Sequence, residues 1–195
     1  QDFPVDVLDF SKVNFYYNKN KLTFIDDFYP YGNPTNKNCE NTSIVNVGYG
    51  IITKERNDYL EKDTKGKVVF IKQGLPADEI IDNKEGNWRR KVYTASKRGA
   101  IGIVFLKSDY ANTDLRIKEH LKNPFMQLHG NQKSKPQPPV FIVDEKKIKT
   151  LNQATNTISF NTRVSLFFIS LVFEGSIATK LINDLEIKFR DFLLN

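Results

Sequence analysis

Residues 94–108 read TASKRGAIGIVFLKS, and the order of their parts decides the fold. A polar, helix-like stretch passes through Gly99 into the apolar run Ile101 to Leu106, with Gly102 at its start. A glycine loop that cradles phosphate follows a strand and opens a helix, so that free N–H groups and the positive end of the helix dipole face the anion. Here the helix comes first. Gly99 is therefore expected to end that helix in the left-handed region, and Gly102 to let a strand approach its neighbours closely. The other junction, FIKQGLPADEI at residues 70–80, offers a lone glycine and no phosphate pattern, which argues against a flavodoxin-like ligand site.

Working outward, Val68 to Ile71, Ile101 to Leu106 and Val140 to Val143 are continuous rather than alternating apolar runs. Such runs predict strands buried on both faces, the habit of mixed or parallel sheets covered by helices. One covering helix is predicted from Trp88 to Arg98. Trp88, Val92, Ala95 and Gly99 recur at spacings of four, three and four, while Arg89, Arg90, Lys97 and Arg98 take the other face. Asn87 can cap its start, and Asp144 can cap a shorter helix through Ile148 and Leu151. Trp88 reads as core, with Arg89 and Arg90 solvated, although such residues also anchor partners.

The N-terminal part reads as a hairpin, with Val13, Phe15 and Tyr17 in one strand, Asn18 to Lys21 as turn residues, and Leu22, Phe24 and Ile25 beginning the second strand. A loop through Pro30 to Pro34 leads to a strand over 43–52, where Gly48 and Gly50 predict a bulge or close backbone approach. Lys107 to Pro139 is the longest irregular stretch, with a helical piece at Leu115 to Leu121, and long loops in compact domains are usually functional or mobile. A strand from Arg163 to Phe173 precedes an amphipathic helix in which Ile177, Leu181, Leu185, Phe189 and Leu193 recur every four residues. If that helix points away from the sheet, the exposed faces allow a homodimer.

The totals fit one domain with appendages: 195 residues, with 15 Phe and 8 Tyr supplying strand formers. Lys plus Arg exceed Asp plus Glu by 29 to 23, a net charge of +6, but the cations are dispersed, which reads as a solvated surface rather than a nucleic-acid site. No apolar stretch is long enough to span a bilayer as a helix. Cys39 stands alone, so no internal disulfide and no cysteine-built zinc site is available, and its polar surroundings read as an exposed, incidental thiol. Gln1 suits a mature terminus left by signal-peptide removal and suits an expression start equally. Asn41-Thr42-Ser43 matches a glycosylation acceptor, a triplet that also occurs by chance.

Four segments together, VNVGYGI (45–51), DYLEKDTKGKVVFIKQG (58–74), TASKRGAIGIVFL (94–106) and PPVFIVDEKKIKTL (138–151), resemble the protease-associated (PA) domain. The variant is the one inserted in secreted bacterial zinc aminopeptidases of the glutamate carboxypeptidase type, and LTFIDDFYPYG (22–32) resembles the segment leading into it. The resemblance implies a mixed α/β fold of the swivelling β/β/α kind, a β-sandwich or open barrel flanked by short helices. It implies a secreted or cell-envelope domain without chemistry or cofactor of its own, binding a protein or peptide such as a peptidase catalytic domain. The PA-like unit is expected over 1–175 and the tail helix over 176–195.

A two-zinc aminopeptidase needs paired His and acidic ligands, with a Glu as general base on metal-bound water. After Gly175 the chain has Asp184, Glu186 and Asp191 but no histidine. The expectation is a non-catalytic module, the alternative being a fragment or degenerate member of the aminopeptidase family. The expected contact surface is the 107–139 segment, with Tyr110, His120, Phe125 and His129 as its candidate residues.

Overall fold

The three apolar runs lie side by side as parallel strands in the computed structural model, which describes residues 3–8, 10–31, 37–122, 125–128, 137–151, 157–162 and 165–169. In chain order the strands and helices are β1 Phe3–Leu8, β2 Asn14–Tyr17, β3 Asn20–Lys21, β4 Phe28–Tyr31, β5 Lys37–Asn46, β6 Val68–Lys72, α1 Trp88–Lys97 and β7 Gly102–Lys107. Then come α2 Leu115–Lys122, β8 Phe125–Leu128, β9 Val140–Asp144, α3 Glu145–Thr150, β10 Thr157–Thr162 and β11 Ser165–Ile169. Eight strands form one mixed sheet in the order β3-β2-β10-β5-β6-β7-β9-β4, and β11-β1-β8 form a small antiparallel sheet. The parallel block runs β5-β6-β7-β9, with Val69 beside Ile103 and Val104 beside Phe141.

Because side chains alternate along a strand, the continuous runs supply two cores at once. Val68, Phe70, Val104, Leu106, Phe141 and Val143 point to one face. Val69, Ile71, Ile103, Phe105, Val140 and Ile142 point to the other, where Val92 and Ala95 of α1 cover them. On the first face the sheet curls over itself as a half-barrel. Phe15 of β2 stacks on Phe28 of β4 at 5.0 Å and meets Phe141 edge-on at 4.7 Å, although β2 and β4 lie near opposite ends of the strand order. Phe160 of β10 closes the cluster 5.1 Å from Phe141.

The expectations for the helices starting at Trp88 and after Asp144, and for Gly99 and Gly102, hold. The Asn87 side chain accepts from the Arg89 N–H at 2.9 Å and Asp144 caps α3 in the same way, each satisfying an amide that the first turn leaves without a partner. Gly99 has φ +80, and a Cβ there would lie 3.3 Å from the Lys65 Cα. Gly99→Ala is expected to cost about 1–2 kcal/mol, from the left-handed backbone alone, measurable by urea unfolding. At Gly102 a Cβ would meet the Phe160 ring at 3.0 Å, which is the close approach the sequence called for.

Several boundaries differ from the sequence reading. The hairpin turn is only Asn18-Lys19, both left-handed at φ 48 and 64, so the returning strand is Asn20–Lys21 rather than Leu22 to Ile25. The strand expected over 43–52 ends at Asn46, and Gly48 and Gly50, at φ +59 and +68, form the turn beyond it. The predicted 30–34 loop begins inside β4. Its outer edge is covered where Ile25 N–H donates to Phe28 O at 2.7 Å, and Pro30 has no N–H to offer. The sequence reading also missed β10, whose alternate residues Ile158, Phe160 and Thr162 are buried, as well as β1 and β8.

Of the tail strand predicted over 163–173, Ser165–Ile169 is described and pairs antiparallel with β1, and the rest lies outside the described residues. The amphipathic 176–195 helix and the boundary at 175 lie outside the described residues. No helix among the described residues is long and apolar enough to cross a membrane. Cys39 is buried at 5% exposure, not an exposed thiol, because β5 turns it inward against β10. Burial pushes its thiol up from the ordinary range, so it carries little thiolate.

Candidate functional site

A cleft of about 200 Å³ opens at the carboxyl end of the parallel block, on the face that carries α1. Ligands of open α/β sheets gather at that end of the strands, because the loops there diverge. Its position follows from chain parity. Phe105 and Lys107 of β7, Ile142 of β9, and Tyr29 and Tyr31 of β4 all point to this face beyond the reach of Val92 and Ala95. Trp88, at the first turn of α1, forms one wall, and Ile117, at the first turn of α2, forms part of the opposite one. Gln73, just past β6, and Asn112, Thr113 and Asp114, leading into α2, complete the rim.

The walls are held from behind. The Trp88 ring meets Tyr31 edge-on at 4.8 Å, and the Arg89 guanidinium lies 5.4 Å over the indole. Tyr29 tilts against Tyr110 at 5.7 Å. Burial pushes the Tyr29 phenol up to about 12 and raises Tyr31 as well, so both stay protonated and serve as hydrogen-bonding groups rather than bases. The Thr113 hydroxyl donates to Tyr110 O at 2.6 Å.

The charged rim is mostly closed on itself. Lys107 Nζ contacts Asp109 Oδ1 at 2.6 Å, and Arg116 contacts Asp114 Oδ2 at 2.8 Å. Each contact holds its carboxyl below the usual carboxylate range. Asp114 Oδ1 also accepts from the Arg116 N–H at 2.8 Å, tying the start of α2 to the rim. The cleft therefore offers an aromatic and aliphatic floor, neutral phenols and amides, and a carboxylate already engaged. That set can bind and orient, and it holds no side chain poised to take a proton at neutral pH.

Of the residues singled out from sequence, Tyr110 needs correction as a contact residue. It is 2% exposed, and its hydroxyl donates to Ile25 O at 2.9 Å. Ile25 sits at φ 72, a costly conformation for a β-branched residue, and the phenol helps to hold it. Tyr110 thus supports the cleft wall from below. His120 is half-buried on α2 and engaged by a neighbour. Phe125 lies on β8 opposite Leu8 of β1, with nothing described of its side chain, and His129 lies outside the described residues.

The segment from Lys107 does contribute Lys107, Asn112, Thr113, Asp114 and Ile117 to the cleft. Trp88 was visible in sequence as an anchor residue, and it is neither core nor free surface but half-buried at the cleft mouth. Tyr29, Tyr31 and Gln73 lie within the PA-like segments 22–32 and 58–74, but nothing in the sequence singled them out individually. Among the described residues, no group of three or more His, Cys, Asp and Glu side chains is placed to hold a metal ion.

No family model matches the chain, and no curated protein matches it. Among solved structures it is similar to BSAP, a zinc aminopeptidase from Bacillus subtilis, in two determinations. The medium-resolution one is 14% identical and the other 15% identical, each with a TM-score of 0.45, covering 85% of this chain and 34% of that one. The chain thus spans about a third of the length of those aminopeptidase chains.

Proposed function

We propose that this chain is a protease-associated domain that acts by binding a protein or peptide, as the accessory part of a secreted or cell-envelope peptidase. The four PA-like segments support the family. One observation supports the role: the cleft at the carboxyl end of β6, β7 and β9, apolar within and lined with amides at its rim. The 107–139 segment, with His120, Phe125 and His129, is proposed as the rest of the contact surface. Removing that whole segment is no test of the idea, because Leu121 and Tyr110 are core residues and β8 pairs with β1.

Point substitutions in the walls are better. Trp88→Ala and Ile117→Asp are expected to leave the far-ultraviolet circular dichroism unchanged, since neither residue is fully buried. Against a phage-displayed random heptapeptide library, the wild-type chain should enrich a defined set of sequences. Each variant should lose at least about tenfold of the affinity for them, the usual scale for an aromatic anchor. Absence of enrichment on the wild-type chain, or equal enrichment on Trp88→Ala, would contradict the proposal.

A further inference from the structure

We infer that the cleft's occupant is a peptide segment with one bulky apolar side chain flanked by carboxylates. This rests on the peptide-binding reading above and names the chemistry of the partner. Size sets the first term. About 200 Å³ is room for one large side chain, Phe or Leu, and not for a folded surface. The surface it would meet is apolar: Phe105 and Ile142 below, with the Trp88 ring in one wall and Ile117 in the other. Burying such a side chain is the main favourable contribution available there.

The rim sets the second term. The Gln73 and Asn112 amides and the Trp88 indole N–H line the cleft without a hydrogen-bond partner among the described residues, and such groups match the N–H and C=O of an extended backbone. Charge sets the third. Lys107 with Asp109 and Asp114 with Arg116 cancel in pairs, whereas Arg89, beside the lining residue Trp88, belongs to neither pair. Arg89 is exposed, lies 5.4 Å over Trp88 and has no ion pair among the described residues. A guanidinium so placed receives a carboxylate through two parallel N–H bonds, which a lysine-bearing peptide would oppose.

The test uses the full chain and three blocked heptapeptides labelled with fluorescein, Gly-Ser-Asp-Phe-Glu-Ser-Gly and the same sequence with Lys-Phe-Lys or Asp-Ala-Glu at its centre. Fluorescence anisotropy should rank Asp-Phe-Glu first. The Ala peptide should bind at least about tenfold more weakly, from the lost apolar burial. The Lys peptide should bind about fivefold more weakly, the upper range for an exposed ion pair. Arg89→Glu should reverse the order of the two Phe peptides and leave the Ala peptide weak. Equal affinity for the two Phe peptides, or an order unmoved by Arg89→Glu, would overturn the inference while the binding proposal stood on its library enrichment. If none of the three peptides bound while the library yielded ligands, the inference alone would fail. If the library yielded none, both would fail.

Discussion

Phe141→Ala is expected to lower the stability of this domain by about 3–5 kcal/mol, the range for removing a fully buried aromatic ring. Phe141 of β9 is 0% exposed, and its ring touches three others, Phe15, Phe28 and Phe160, from β2, β4 and β10. These rings are what one end of the eight-stranded sheet meets when it curls onto the other. Loss of the Phe141 ring leaves a cavity that four strands would have to close together, and a packed interior relaxes only in part. Urea unfolding of the variant measures the cost. A loss below about 1 kcal/mol would mean that the curl does not depend on this cluster.

The second large effect concerns Lys91 on α1, which is 2% exposed and donates from Nζ to Gly74 O at 2.5 Å. Burial depresses its ammonium from 10.5 to about 8. Asp58 and Glu85 oppose the shift, and Arg56 adds to it. The folded pKa lies below the unfolded one, so between about pH 8 and 10.5 the unfolded chain binds more protons and stability rises with pH. Below pH 8 the full penalty applies, about 3 kcal/mol at 1.36 kcal/mol per pKa unit.

Tyrosines bound the window from above. Tyr29 and Tyr59 are pushed up to about 12 by burial, and Tyr110 is raised further. The folded chain therefore holds these protons after the unfolded chain has lost them, and stability falls as pH rises past 10. Lys91→Met should abolish the rising limb and keep the falling one. Its stability at pH 7 should change little, because relief of the buried charge offsets the lost hydrogen bond to Gly74. Unfolding free energies at intervals from pH 7 to 11 read both limbs. A rising limb that survived in Lys91→Met would assign it to another group.

Much of the scaffold was legible because it is written locally. The apolar runs near 70, 103 and 141 each announce a strand buried on both faces, and Asn87, Gly99 and Asp144 punctuate helices through their own side chains or backbone. The curl was not legible. It depends on Phe15 meeting Phe141, two residues far apart in sequence whose strands never pair. The strand β10 was hidden by a stronger apolar stretch just after it, although Ile158, Phe160 and Thr162 alternate correctly.

The cleft was beyond local reading for the same reason as the curl. Tyr29, Gln73, Trp88, Ile117 and Ile142 come from five separate places in the chain and mean nothing until the sheet and two helices bring them together. Tyr110 shows the converse. An aromatic residue in a long segment invites a binding role, yet its hydroxyl is engaged inside by the carbonyl of Ile25. Burial, which a single sequence does not display, separated the two tyrosine roles.

Trp88 is the only tryptophan in the chain, so its emission reports on the cleft directly. The decisive measurement is acrylamide quenching of that emission with the unlabelled Asp-Phe-Glu heptapeptide at saturation. An occupied cleft should shield the indole, lowering the quenching constant at least about twofold and shifting the emission to shorter wavelength as water leaves the site. Saturable binding that left Trp88 quenching unchanged would place the peptide elsewhere on the molecule and contradict the account.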